Sequence, residues 1–175
     1  AHGWDKLRFW DEALIDPAGN PKPIGGHDEL CAAAGAMFTR MHPALADFWQ
    51  RLSGGGFIDL KNRPGKQGGG FCTSFPSIGM PFIFANFTGT HGDIAVFTHE
   101  MGHAFQNWES RGLAAIDCLW PSMEAAEIHS MSLEFLTHPH MDLLVGAGAA
   151  ARFRRMHLEA SLAFLPYGVC VDHFQ

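Results

Sequence analysis

The five residues His99-Glu100-Met101-Gly102-His103 constrain this chain more than any other stretch. In an α-helix, positions i and i+4 differ by about 40° in azimuth and about 6 Å in rise. Two imidazoles at that spacing can converge on one cation, while the glutamate between them points toward the cation's open side. With 11 histidines in 175 residues, such a pattern is expected by chance only about 0.03 times. The plain alternative is an amphipathic helix that happens to carry two histidines.

The chain has the length of one domain with a sizeable core, about 65–70% of its unfolded surface being buried on folding. Hydrophobic residues make up 47% and charged residues 17%, a globular rather than a disordered composition. A net charge of -6, with no Lys/Arg run longer than two, argues against nucleic acid or an anionic membrane as partner. No apolar run approaches the ~20 residues that span a bilayer, and no secretory signal opens the sequence. Cys31, Cys72, Cys118 and Cys170 are spaced 41, 46 and 52 residues apart, neither a metal knuckle nor a disulfide framework. Reduced thiols in a cytoplasmic protein are expected, a secreted protein with two bridges being the alternative. The chain begins at Ala1 without Met and stops inside an amphipathic stretch at residues 171–175. It therefore reads as part of something longer.

Residues 1–26, with Trp4, Trp10 and the prolines 17, 21 and 23 around Gly19-Asn20, read as irregular chain whose tryptophans pack on a core. Residues 27–40 carry Leu30, Ala33, Ala34 and Met37 at helical spacing, Pro43 interrupts, and residues 44–52 form a second helix. Short apolar runs at 57–60, 71–75 and 81–87 fit a small antiparallel sheet within residues 56–88, with turns at 62–65 and 77–79. Gly68-Gly69-Gly70 lacks the Gly-Lys-Ser/Thr of a phosphate loop. It either lets another backbone approach, such as an extended peptide pairing with the sheet edge, or marks a flexible hairpin. Thr90 or Asp93 would cap a helix over about 94–110, apolar enough at Ile94, Phe97, Met101, Ala104, Phe105 and Trp108 to cross the middle of a domain. Pro121-Ser122 opens a second metal helix over about 122–137, and His138-Pro139-His140 breaks it. An apolar turn at 141–145, a helix at 147–165 and a last helix from Pro166 complete the chain. The expected fold is mainly α: one zincin-type domain, residues 1–175, of packed helices with a small antiparallel β-sheet.

A catalytic zinc takes three protein ligands and keeps one position open. The metzincin pattern needs Gly and His three and six residues past the second histidine; Gln106 and Glu109 stand there and exclude it. The other arrangement takes a glutamate from a later helix, and Glu124, Glu127 and Glu134 are candidates. Periodicity alone does not choose between Glu124 and Glu127.

Residues 97–106, Phe-Thr-His-Glu-Met-Gly-His-Ala-Phe-Gln, together with residues 124–136, which begin Glu-Ala-Ala-Glu-Ile-His-Ser, resemble the thimet oligopeptidase/oligoendopeptidase F family of zinc metallopeptidases, in particular its bacterial oligoendopeptidase branch. Residues 16–22, 66–75, 81–93 and 165–169 look like the same family, so the resemblance covers nearly the whole chain. It implies that the glutamate opening Glu-Ile-x-Ser, here Glu127, is the third ligand. It also implies that Glu134 orients a ligand histidine. Family members run to several hundred residues, mostly helical, with a deep channel between two halves. This chain would be the central part of the catalytic half, with the rest of the peptidase missing from it.

The resemblance thus implies one Zn2+ per chain held by His99, His103 and Glu127. Glu100 would act as general base on a water that attacks peptide bonds of short oligopeptides. Tyr167 is the single tyrosine among 21 aromatic residues. The family places a His and one or more Tyr on C-terminal helices facing the zinc, a region that His157 and Tyr167 match loosely, so both are expected to stabilise the oxyanion. The family's usual Tyr-rich run is absent here. His129, about 200° around the helix from Glu127, should face away; His138 and His140 read as charge at a helix end, and His91 as a residue that could line the cleft. The function implied is that of a zinc-dependent endopeptidase. The alternatives are a zinc-binding but inactive fragment and a non-catalytic scaffold of the same fold.

Overall fold

In the computed structural model, residues 6, 8, 15, 16 and 18–174 are described. The expected packing of Trp4 and Trp10 lies outside them. Helices α1 (His27–Met41) and α2 (Pro43–Gly54) lead into strands β1 (Ile58–Lys61), β2 (Phe71–Phe75) and β3 (Met80–Phe87). Helix α3 (His91–Ser110) follows, then α4 (Ala126–Leu136), the short α5 (Asp142–Val145) and the long α6 (Ala147–Phe174). Single 3-10 turns stand at Ile116–Cys118, Met123–Ala125 and His138–His140. The architecture is mainly helical with one small sheet.

Local chemistry explains most boundaries. His42 is extended, its Nδ1 accepts the Ala44 N–H at 3.1 Å, and Pro43 occupies the first turn of α2, where its missing N–H costs nothing. Helix α3 begins earlier than its apolar spacing suggests. The Asp93 carboxylate reaches back to accept the N–H groups of Thr88, Gly89 and Thr90 at 2.9, 2.6 and 3.1 Å, which fastens the first turn.

The sheet departs from expectation. Its order is β1-β3-β2, with β2 antiparallel to β3 but β1 parallel to it. Residues 62–65 therefore close no hairpin between β1 and β2. The chain crosses instead, and β3, with Pro81, Ile83 and Ala85 buried, takes the centre. Three similar apolar runs carry no signal of which will be central. The crossing loop is tied down by Lys66, whose side chain is 1% exposed and whose Nζ lies 2.6–3.1 Å from the carbonyls of Asp59, Lys61 and Ala85 and the Asp59 carboxylate. Asn86 adds bonds to the carbonyls of Gln67 and Gly69.

The C-terminal region differs too. Pro166 begins no new helix; it lies inside α6. Proline's fixed φ is a helical value, so what is lost there is its own bond to the Leu162 carbonyl. Near its start, α6 is pinned to the N-terminal segment. Arg152 and Arg155 pair with the buried Asp16 at 2.8 and 3.4 Å, and the Arg152 hydrogen bond holds that carboxyl below its usual range. All four cysteines are free.

The core lies between α1, α2, β3 and α3. Phe97 meets Phe38, Trp49 and Phe87 at 6.1, 5.5 and 6.0 Å between ring centres. Phe48, Leu52, Ile83, Ile94 and Met101 are fully buried around them. No helix among the described residues is long and apolar enough to cross a membrane.

Candidate metal centre

Helix α3 presents His99, Glu100 and His103 to a cleft of about 410 Å³, also lined by Gly70, Phe71, Cys72, Trp120, Pro121, Met123, Ala126 and Glu127. One wall is the start of β2, another the segment running into α4. That segment is anchored by Gln106 and Asn107, whose side-chain amides each donate to the Leu119 carbonyl at 3.2 Å. Trp120 Nε1 in turn donates to Ser74 Oγ at 3.2 Å.

Three atoms converge in the cleft. His99 Nε2 and His103 Nε2 are 3.2 Å apart, and Glu127 Oε2 lies 2.9 Å from the first and 3.4 Å from the second. Ligand atoms about 2.0–2.1 Å from a tetrahedral zinc stand roughly 3.3 Å from one another. Two nitrogens and one carboxylate oxygen at these separations fit such an ion. Among the described residues, His99, His103 and Glu127 form the one group of three or more His, Cys, Asp or Glu side chains that could hold a metal. Ser130, fully buried, donates to Glu127 Oε2 at 2.7 Å. Glu124 is elsewhere: exposed, in the 3-10 turn before α4, its carboxyl held below the usual range by its own N–H and the Ser122 hydroxyl.

The electrostatics divide the site. Burial opposes protonation of His99, but its hydrogen bond to Glu134 and the charges of Glu134, Glu127 and Glu100 outweigh it and raise its pKa. Burial and the neighbouring His99 lower that of His103. Glu100, 7% exposed, is raised by burial and by Glu127 against the opposing pull of His99. Burial also pushes up the Cys72 thiol. Behind the three converging side chains, Glu134 Oε1 accepts from His99 Nδ1 at 2.7 Å, a bond that leaves Nε2 bare and aimed at the cleft.

Two glycines make the site possible. A Cβ on Gly102 would stand 2.5 Å from Ser130 Cα and 2.6 Å from the His129 carbonyl oxygen, so the absence of a side chain lets α3 and α4 touch backbone to backbone. A Cβ on Gly70 would meet Val96 Cγ1 at 2.8 Å, with Glu100 Oε1 at 3.7 Å. The sequence singled out Gly70 only as part of Gly68-Gly69-Gly70, and Gly102 not at all. The available signal for Gly102 was a glycine in a helix interior, where it costs about 1 kcal/mol against Ala.

The other expected residues fall outside the cleft. Tyr167 is 64% exposed and faces Phe164. His157 sits behind Glu134, its Nε2 2.5 Å from Oε2. Because α6 is one helix, ten residues separate these two side chains by about 15 Å along the axis and about 80° around it. They do not converge, and the oxyanion role expected of the pair has no support in this arrangement. His91 accepts from Asn20 Nδ2 at 3.4 Å. His129 lines a different pocket with Gln106, Glu109 and Leu136.

Comparison with protein families matches residues 41–147 to Peptidase family M3. Comparison with curated proteins finds no match. Among solved structures, the chain is similar to one described as an oligoendopeptidase F, at 46% identity and a TM-score of 0.91 over 97% of this chain and 30% of that one. It is similar to PZ peptidase A solved with an inhibitor, at 44% identity and 0.93, over 99% and 31%. It is also similar to a protein of Bacillus anthracis str. Ames described as an oligoendopeptidase F, at 43% and 0.92, over 98% and 31%. The chain thus spans less than a third of the length of these relatives. With a family match over more than half its residues, the chain belongs to Peptidase family M3.

Proposed function

We propose that this chain carries the zinc site of an endopeptidase that cleaves short oligopeptides. Residues 1–175 would form part of its catalytic domain, and further chain would complete the substrate channel. The observation that carries the reading is the convergence of His99 Nε2, His103 Nε2 and Glu127 Oε2 to within 2.9–3.4 Å of one another. Zinc held there would supply a Lewis acid that polarises a peptide carbonyl and makes water easier to deprotonate.

The chain's own residues do the rest. Glu100, buried beside the ligands with its pKa raised, takes the water's proton as the carbonyl is attacked and delivers it to the leaving nitrogen. Glu134 holds His99 in one tautomer and orientation. Strand β2 is an edge of the sheet, and its first residues line the cleft. An extended peptide pairing with that edge would lie along the row of His99, Glu100 and His103. A cytoplasmic setting goes with the four free cysteines.

Two other readings compete: a zinc-binding part inactive without the remainder of the protein, and a non-catalytic scaffold of the same fold. The first is favoured by the chain's 30% share of the relatives' length. Glu100 argues against the second, since a structural site has no use for a buried carboxylate on the open side. Metal analysis with a quenched-peptide assay of Glu100→Gln decides among them. Retained zinc with cleavage reduced about 10²–10⁴-fold supports the endopeptidase, and undiminished cleavage sinks it. Zinc without cleavage in this chain, but cleavage in a longer one, supports the inactive-part reading.

A further inference from the structure

The Glu134 carboxylate has two oxygens, and both are engaged. Oε1 takes the His99 Nδ1 proton at 2.7 Å, while Oε2 lies 2.5 Å from His157 Nε2. His157 Nδ1 lies in turn 2.9 Å from His138 Nε2. The Glu134 and His157 side chains are 13% and 10% exposed. The His157 ring is held between Phe153, stacked at 9°, and Phe135, 4.8 Å away between ring centres.

Counting protons gives the row a direction. An ionised carboxylate only accepts, so both histidines touching Glu134 donate to it. A neutral His157 that donates from Nε2 leaves Nδ1 bare, to accept the Nε2 proton of His138. One proton per contact then satisfies every ring nitrogen in the row except His138 Nδ1 and the cleft-facing nitrogen of His99. Burial lowers the His138 pKa and favours the neutral ring this requires.

We propose that His157, seated by His138, is a positioning residue of the metal centre. By fixing the outer oxygen of Glu134 it locks the carboxylate that aims His99 at the cleft. A simple tie between α4 and α6 could use any polar pair. Here the α6 histidine bonds the same carboxylate that bonds the ligand, and aromatic rings on both sides restrict its tilt. Groups one step behind a ligand typically change metal affinity about 10–100-fold when removed. The proposal rests on His99, His103 and Glu127 being a metal site.

The test uses the full-length protein. Zinc affinity is measured by competition with a chelator, and the geometry of the site by the visible absorption of the Co2+-loaded form. His157→Phe keeps a ring in the aromatic cage but cannot donate, whereas His157→Gln keeps an N–H. The expected result is zinc binding about 10-fold weaker in H157F, with shifted Co2+ bands. H157Q should recover most of both, and His138→Phe should give a smaller loss in the same direction. Unchanged affinity and bands in H157F overturn the proposal while wild-type zinc binding leaves the metal site standing. A loss that H157Q does not restore makes His157 a packing residue and overturns it as well. Wild-type protein that takes up no zinc removes the metal site and the proposal with it.

Discussion

Helix α3 has two working faces. Ile94, Phe97, Met101 and Ala104 form one stripe, each at most 1% exposed, seated in the aromatic core. Val96, His99, Glu100 and His103 form the other, along the cleft and the start of β2. Both stripes repeat at three and four residues, and one helix serves both because 3.6 residues per turn sets the two rows on different sides. The apolar row is over-determined by many contacts and tolerates no polar change. The polar row is kept in place by few, specific partners: Glu134 behind His99 and Gly70 beside Glu100. Stability is expected to reside in the first row and chemistry in the second.

The sharpest way to break that division is Phe97→Ala. It removes a ring in contact with three others and should cost about 3–5 kcal/mol, measured by denaturant unfolding. At low temperature, the part that remains folded should still bind zinc. A loss below about 1 kcal/mol would show that the aromatic cluster is not the core.

On the other face, Glu100→Gln should leave the unfolding midpoint near that of the parent while cleavage falls about 10²–10⁴-fold, which is about 3–5 kcal/mol of barrier. A variant that is as active as the parent but less stable would reverse the assignment of the two faces.

Gly102→Ala tests the seam between them. The added methyl meets the α4 backbone at 2.5 Å, so about 1–3 kcal/mol of stability should be lost to overpacking. Zinc affinity should fall as well, because the clash pushes away the helix that carries Glu127. Calorimetry and chelator competition on one sample suffice. Loss of stability with zinc affinity intact would mean that Glu127 follows the movement and the seam does not control the site.

The smallest effect is expected at β1, which carries Asp59. The Arg63 hydrogen bond, against burial and with Lys66, holds the Asp59 carboxyl down at about 2 rather than 3.8. A lowered folded-state pKa adds stability that is complete above the unfolded value. That stability is lost as pH falls through the folded value. The difference in melting temperature between parent and Asp59→Asn should therefore be constant above about pH 4 and shrink toward pH 2. A difference that grows on acidification would contradict the clamp and point to a carboxyl protonated in the folded state.

The elements of the fold were largely legible. Helices at 27–40, 44–52 and 94–110 and three strands were expected close to where they stand, since each rests on local periodicity and on Pro, Gly or Asp at its ends. Pairings were not. The runs at 57–60, 71–75 and 81–87 look alike in composition, so the parallel β1–β3 contact followed from burial rather than pattern. Continuity of α6 through Pro166 was hidden because a proline reads as a boundary in sequence.

The candidate site shows the same division. Two imidazoles four apart in a helix are a local fact, and so is the glutamate between them. Whether Glu124 or Glu127 stands beside them depends on how closely α3 and α4 approach, which is set by a bare glycine against a backbone. The place of His157 depends on where α6 crosses α4, 23 residues from Glu134 in sequence but 2.5 Å in space. The sequence alone determined which residue types could bind a metal and on which helix, because helical spacing is short-range geometry. Helical spacing left Glu124 and Glu127 open, and the family resemblance implied Glu127. The tertiary structure brings Glu127 rather than Glu124 beside the two histidines and His157 behind Glu134, because contacts between elements are chosen by burial and close approach.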